Sequence, residues 1–208
     1  MGKGEATRQA ILERAGALAS RHGLGGLTIG GLAQDLELSK SGLFAHFQSK
    51  EALQIQTIRF VAEQFVDIVV RPGLKAARGE PRVRELLTRW LLWEAQRAAD
   101  GGCLFVAAST EFDDQDGPVR DELVRQQRDW LELIASVARG AVGEGHFRAD
   151  LDNEQFAHEL HGAILAYHHA ERLLRDPRAR RRVADSFERL VADARRRAPN
   201  PVPHLVGS

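Results

Sequence analysis

The sequence contains a single cysteine among 208 residues, and its formal net charge at neutral pH is zero. One cysteine excludes an intramolecular disulfide and is typical of a protein from a reducing compartment. A zero net charge gives the whole chain no electrostatic preference for nucleic acid. No apolar run approaches the roughly 18 residues that span a bilayer, and the N-terminal residues lack the pattern of a signal peptide. We therefore expect a cytoplasmic protein that has no membrane partner.

Motifs of known enzyme chemistry are also missing. The sequence has no phosphate-binding loop, no nucleophile elbow and no metal-ligand motif. We therefore expect no enzymatic activity, no catalytic residues and no cofactor. Four histidines between His158 and His169 lie in one predicted helix, but ligands on a single helix need others from elsewhere, so we expect no metal site. Cys103 near a helix start suits a redox sensor, but without a second cysteine we favour a small buried residue.

Apolar residues recur at helical spacing along nearly the whole chain, and glycine and proline separate the segments. This pattern predicts an all-α protein of nine helices, the first of them capped by Thr7. Pro72 is expected to kink or end the fourth helix. The apolar stretch 103–112 fits a buried strand or a short helix, and its helical surroundings favour the helix.

The most informative stretch is Leu27–Leu53, LTIGGLAQDLELSKSGLFAHFQSKEAL. Thr28 is a predicted N-cap of one short helix, and Ser39 is a predicted N-cap of the next. Each helix has only about two turns, so neither is stable alone in water. The spacing predicts a helix-turn-helix whose second helix is presented outward to DNA.

This stretch resembles the TetR family of bacterial transcriptional regulators. The matching residues are Thr28-Ile29, Leu32-Ala33, Leu38-Ser39, Ser41-Gly42-Leu43-Phe44, His46-Phe47 and Ser49-Lys50-Glu51-Ala52-Leu53. Beyond about residue 54, the chain matches the family only in the number of helices and the order of their lengths. The resemblance implies an all-α homodimer with one helix-turn-helix per subunit, which binds a double-stranded DNA operator and releases it when a small ligand enters the larger domain.

Predicted DNA contacts cluster in the second helix of the motif, and the local charge behind them is modest: residues 1–50 carry six Lys or Arg and four Asp or Glu. Lys40 and Ser41 open that helix and can reach base edges or phosphates. Phe44 stands where the family usually has tyrosine, so it offers no hydroxyl to a phosphate. The alternative is that these residues only cap, pack or face solvent. The predicted set is Thr28, Ser39, Lys40, Ser41, Gly42, Phe44, His46 and Lys50.

Bulky aromatic residues in the larger domain predict an apolar pocket with a few polar anchors, for an unidentified small-molecule effector. The alternative is ordinary core packing. The predicted pocket residues are Trp90, Trp93, Glu94, Phe105, Phe112, Gln127, Trp130, Ile134, Tyr167 and His168.

The last two predicted helices carry apolar stripes that we interpret as a dimer surface. The predicted interface residues are Phe156, Leu160, Ala163, Ile164, Phe187, Leu190 and Val191. The alternative is that the stripes pack within one subunit. A twofold dimer would present two recognition helices about 34–36 Å apart, which implies a near-palindromic operator.

These patterns together predict a DNA-binding domain at 1–50, a helical ligand-binding and dimerisation domain at 51–197, and a disordered tail at 198–208. The predicted function is a repressor that a small, largely apolar molecule releases from DNA. The alternative is a DNA-binding regulator without a small ligand, controlled by a protein partner or by redox state.

Overall fold

The structure, a computed structural model, describes residues 3–195. The predicted disordered tail at 198–208 lies outside them. All regular secondary structure in this range is helical, which confirms the all-α prediction. The elements are α1 (Lys3–His22), α2 (Ile29–Asp35), α3 (Lys40–Phe47), α4 (Lys50–Phe65), a π-helical segment (Val66–Val70), α5 (Arg71–Leu74), α6 (Glu80–Gln96), a 3₁₀ turn (Ala98–Asp100), α7 (Leu104–Glu111), α8 (Pro118–Gly143), α9 (Asn153–Arg172) and α10 (Ala179–Arg195). None of these described helices is long and apolar enough to cross a bilayer.

The fourth predicted helix continues past Pro72. It comprises α4, the π-helical segment and α5 without a break, and counted this way the described chain has the nine predicted helices. Proline has no backbone N–H and its ring crowds the carbonyl four residues earlier, so the turn before Pro72 widens to the π form instead of ending the helix.

The start of α1 differs from the prediction. Thr7 lies inside α1, which begins at Lys3, so it is not the N-cap. Glu5 lies in the first turn, where a negative charge is favourable at the positive end of the helix dipole, and its Oε1 lies 3.9 Å from Arg8 Nη1. Both interactions favour extension of the helix towards the N-terminus. The short apolar stretch is helical, as predicted, in α7.

The described residues pack into two compact units: one comprises residues up to 75 together with 85–130, and the other comprises 76–84 together with 131 onward. In the first unit, α1 to α4 share a closed apolar core. Its buried side chains are Ile11, Leu12, Ala15, Leu27, Leu32, Ala33, Leu43, Phe47 and Leu53. Arg14 of α1 also forms a bidentate pair with Asp35 of α2, at 2.5 and 2.8 Å, which fixes α2 against α1.

In the second unit, α9 and α10 pack against each other along their apolar stripes. The buried residues of α9 are Phe156, Ala157, Leu160, Ile164 and Tyr167, and those of α10 are Ala179, Val183, Phe187, Val191 and Ala194. The Arg148 N–H donates to the Ala194 carbonyl at 2.8 Å, which ties the segment before α9 to the end of α10. The two apolar stripes therefore bury each other within one chain.

A buried carboxylate joins α4 to α8 within the first unit. Glu122 is only 6% exposed, and it accepts hydrogen bonds from Arg59 at 3.0 and 3.1 Å, from Gln126 at 2.9 Å and from Arg125. Burial by itself raises the pKa of the Glu122 carboxyl, but the hydrogen bonds from Arg125, Gln126 and Arg59 outweigh burial and hold the pKa below its usual value.

Glu122→Gln should therefore destabilise the protein at neutral pH by about 1–3 kcal/mol, because the amide leaves the two guanidinium groups without their carboxylate. The stabilisation by the carboxylate is complete above its unfolded-state pKa of about 4.3 and is lost as the pH falls through the lower folded-state value. Urea unfolding at pH 7 and near pH 3 measures the difference. The matched control is Glu132→Gln, an exposed carboxylate 3.7 Å from Arg139, which should change stability little. An unchanged Glu122→Gln variant at pH 7 would contradict the assignment.

Candidate nucleic-acid interface

Side-chain caps start the helices of the N-terminal motif. Thr28 has an extended backbone, and its Oγ1 accepts the Gly31 N–H at 3.0 Å. Ser39 Oγ accepts the Gly42 N–H at 3.0 Å and a hydrogen bond from the Ser41 hydroxyl at 3.3 Å. Both predicted caps are present, so these hydroxyls hold the ends of the helices, and any contact of theirs with DNA is additional.

The core fixes which face of α3 points outward. Leu43 and Phe47 are 0% and 1% exposed, and both belong to the apolar core of α1 to α4. In the first turn of α3, Lys40 and Ser41 are exposed, and in the next turn Phe44 is 54% exposed. A phenylalanine that is more than half exposed therefore lies near the middle of this two-turn helix.

The remaining residues of the predicted DNA set lie around this face. Gly42 is exposed and His46 is half-buried, with its ring centroid 6.1 Å from that of Phe47. The Lys40 side chain lies over α2, close to Gly30: a Cβ added to Gly30 would be 3.3 Å from Lys40 Cε. The structure thus places most of the predicted set on α3 and its N-cap, whereas Thr28 caps α2 and Lys50 begins α4. The contacts with DNA stay a prediction.

Lys50 has an internal partner that sequence reasoning missed. Its Nζ donates to the Gly25 carbonyl at 2.5 Å, although the side chain is exposed. An ammonium group has three donors, so donors remain for a phosphate. Lys50 therefore both ties α4 to the loop between α1 and α2 and carries positive charge at the end of the motif.

Aromatic residues of the predicted pocket surround one phenylalanine in the first unit. The rings of Trp93, Phe105 and Trp130 lie edge-on to Phe65, with centroids 5.5, 6.1 and 5.1 Å away. Sequence reasoning placed Phe65 only in the apolar stripe of α4. The cluster is close-packed by favourable edge-to-face contacts.

Two polar residues of the predicted pocket bind backbone groups beside this cluster. Glu94 is 2% exposed and accepts the Cys103 N–H at 2.9 Å, and Gln127 donates to the Phe105 carbonyl at 3.0 Å. Trp90 and Phe112 are buried in the same unit. The other predicted pocket residues, Ile134, Tyr167 and His168, lie in the second unit.

The thiol of Cys103 is chemically quiet. The residue is 2% exposed, and burial, together with the nearby Glu94 carboxylate, raises its pKa to about 11. A thiol with this pKa stays protonated at neutral pH and is a poor nucleophile. This agrees with the interpretation of Cys103 as a small buried residue.

Histidines of α9 are not arranged for a metal. Within residues 3–195, no three His, Cys, Asp or Glu side chains come together as a metal site requires. Burial, and then the neighbouring His158, lower the pKa of His161. The neutral imidazole is therefore favoured at this position on α9.

Most residues of the predicted dimer surface are covered within the single chain. Phe156, Leu160, Ile164, Phe187 and Val191 are 0–4% exposed. Ala163 and Leu190 are half-buried. They hold α9 to α10, so the apolar stripe of α9 that remains exposed is a different one. It contains Leu165, which is 37% exposed, and the exposed small residues Gly162 and Ala166.

A capped helix-turn-helix at the N-terminus of an otherwise helical chain defines a helix-turn-helix transcriptional regulator. Residues 11–56 match the family described as "Bacterial regulatory proteins, tetR family". Residues 79–187, more than half of the chain, match "Tetracyclin repressor-like, C-terminal domain". The chain therefore belongs to the TetR family of transcriptional regulators, which confirms the resemblance.

Solved structures of similar fold agree with this assignment. A TetR-family regulator from Cytophaga hutchinsonii has a TM-score of 0.76 and 23% identity, covering 93% of this chain and 97% of that one. AibR, solved with isovaleryl coenzyme A and operator DNA, has a TM-score of 0.69 and 18% identity, covering 90% and 98%. A protein from Saccharomonospora viridis in complex with choline has a TM-score of 0.69 and 22% identity, covering 88% and 95%. None of the curated proteins matches the sequence.

Lys50→Ala should weaken binding to all DNA sequences and reduce the slope of log affinity against log salt by about one, because the predicted phosphate contact would be lost. Fluorescence anisotropy over a salt series measures both quantities. Lys75→Ala is the matched control, since it removes the same charge from an exposed site outside the motif. An unchanged salt slope for Lys50→Ala would show that its ammonium group serves only the Gly25 carbonyl.

Proposed function

We propose that the protein is a ligand-responsive repressor that binds a near-palindromic operator as a dimer and leaves it when a small, largely apolar molecule binds. The observation that carries the proposal is the outward face of α3. Leu43 and Phe47 anchor the helix in the core, and Lys40, Ser41 and Phe44 remain exposed. A short helix held in this way suits the major groove of DNA.

Each residue of this face has a role that its chemistry supports. Lys40 and Ser41 read base edges or phosphates at the start of α3, and Gly42 allows close backbone approach. Phe44 makes apolar contact with sugar or a thymine methyl group. Thr28, His46 and Lys50 contact phosphates on either side, while Ser39 positions α3 through its cap.

The proposed roles of the two parts of the chain follow the predicted domain boundaries. Residues 1–50 read the operator, and residues 51–197 bind the effector and form the dimer. Phe105, half-buried at the edge of the aromatic cluster around Phe65, supports an apolar effector, and the buried Glu94 offers a polar anchor. AibR and the Saccharomonospora viridis protein, which share this fold, were solved with isovaleryl coenzyme A and with choline.

The open stripe of α9 supports self-association. Leu165 is exposed, and Gly162 and Ala166 beside it have little or no side chain, which permits close helix approach. A twofold pair built on α9 would present two copies of α3 to successive major grooves.

The second candidate function is DNA-binding regulation without a small ligand, in which a protein partner controls the dimer. The tight edge-to-face packing around Phe65 favours it, because a closed cluster needs no ligand to fill it. Redox control finds no support in Cys103, whose raised pKa and burial keep the thiol unreactive.

A thermal-shift screen with small apolar compounds separates the two candidates. Under the proposal, a compound at a hundred times its Kd stabilises the protein by about 2.7 kcal/mol and also releases DNA in an anisotropy assay. Phe105→Ala, which opens the half-buried edge of the aromatic cluster, should remove both effects together. Compounds that raise Tm without releasing DNA would favour the ligand-independent candidate.

Sedimentation velocity tests the dimer. The wild-type protein should sediment as a dimer at micromolar concentration, and Leu165→Arg should shift it to monomer, because a charge in a helix–helix contact lacks a partner. Leu92→Arg on α6 is the control, since Leu92 has a similar exposure of 40%. A monomeric wild-type protein would contradict the proposed assembly.

A further inference from the structure

The loop between α1 and α2 is held by a carboxylate from a distant part of the chain. Glu111, the last residue of α7, accepts the Leu24 N–H on Oε2 at 2.8 Å and the Gly25 N–H on Oε1. Each carboxylate oxygen thus takes one backbone donor. Hydrogen bonds to an ionised acceptor are about twice as strong as neutral ones.

The carbonyls of the same two loop residues are also bound. Gln54 Nε2 donates to the Leu24 carbonyl at 2.7 Å, and Lys50 Nζ donates to the Gly25 carbonyl at 2.5 Å. Four backbone groups of two residues are therefore bound by side chains from α4 and α7. Loop backbone is usually left to water, so this degree of attachment fixes the loop in one position.

Glycines make room for the carboxylate. A Cβ on Gly25 would lie 2.5 Å from Glu111 Oε1, and a Cβ on Gly23 would lie 2.8 Å from Oε2. Gly23 also has a φ of +82°, which L side chains rarely adopt. The loop sequence is therefore matched to the close approach of Glu111.

The other end of α7 is anchored beside the aromatic cluster. The Cys103 N–H donates to Glu94, the Phe105 carbonyl accepts from Gln127, and the Phe105 ring packs on Phe65. A helix of eight residues is about 12 Å long. The helix α7 therefore connects the proposed effector site to the loop that precedes α2 and α3.

We infer that Glu111 is a positioning residue for operator recognition. Its carboxylate fixes the loop before α2 and so sets the orientation of α2 and α3 against α7, without touching DNA itself. The inference rests on the proposed reading of DNA by α3.

Amide exchange tests the attachment directly, without DNA. In Glu111→Gln, the neutral amide has one acceptor oxygen and turns its NH₂ towards the second backbone donor. Exchange at the Leu24 and Gly25 amides, measured by NMR on the full chain, should accelerate about tenfold or more. Asp114→Asn is the matched control, because it makes the same charge change at an exposed carboxylate three residues further on, and should leave both amides unchanged. Unchanged exchange in Glu111→Gln would overturn the inference.

Operator binding tests the positioning role. The probe is a duplex selected from a random library with the wild-type protein. Glu111→Gln should bind it about tenfold more weakly with an unchanged salt slope, because no phosphate contact is lost. Gly25→Ala, which displaces the same carboxylate, should behave alike and serves as the second variant if circular dichroism shows that Glu111→Gln is unfolded. Asp114→Asn should bind as the wild type does.

The outcomes distinguish the attachment of the loop, the positioning role of Glu111 and the proposed reading of DNA by α3. Faster exchange at Leu24 and Gly25 combined with wild-type operator affinity would show a merely structural attachment and overturn the positioning role. If Lys40→Ala left DNA affinity unchanged, the proposed reading by α3 would fail and the positioning role with it, while the exchange result would still stand.

Discussion

The fold of the N-terminal helix-turn-helix, α2 and α3, depends on the burial of two side chains of α3. Helices of seven and eight residues, the lengths of α2 and α3, do not persist in water because nucleation is unfavourable. Leu43 and Phe47 are 0% and 1% exposed in a core that α1 and α4 complete, and a hydroxyl cap accepts one N–H in the first turn of each helix. The outward direction of Lys40, Ser41 and Phe44 is a consequence of that burial.

The same unit is tied to the rest of its compact body by polar contacts at one loop. Lys50 and Gln54 of α4 hold the carbonyls of Leu24 and Gly25, and Glu111 of α7 holds their N–H groups. Lys50, one of the residues predicted to contact DNA, thus also has a structural partner.

The sequence predicted those features that depend on local pattern. Caps at Thr28 and Ser39 and the 3.6-residue period identified α2 and α3, and the turn chemistry separated the helices correctly along the chain. The start of α1 was placed too late at Thr7, since helix ends depend on weak interactions such as that of Glu5 with Arg8.

Features that depend on contacts between distant parts of the chain could not be predicted from local sequence patterns. Glu111 lies 86 residues from Gly25 along the chain, and no local pattern joins them. The apolar stripes of α9 and α10 were visible, but a stripe does not say whether its partner is the same chain or a second copy. Phe65 was one apolar residue among several in α4 until the fold placed Trp93, Phe105 and Trp130 around it.

The central claim is that two copies of α3 read the major groove of one operator. Protection of guanine N7 from dimethyl sulfate on a selected duplex tests it most directly, because that atom lies in the major groove. We expect two protected clusters about one helical turn, or roughly 10 base pairs, apart on one face of the DNA, both lost in Lys40→Ala. A single protected cluster, or protection that Lys40→Ala leaves unchanged, would contradict it.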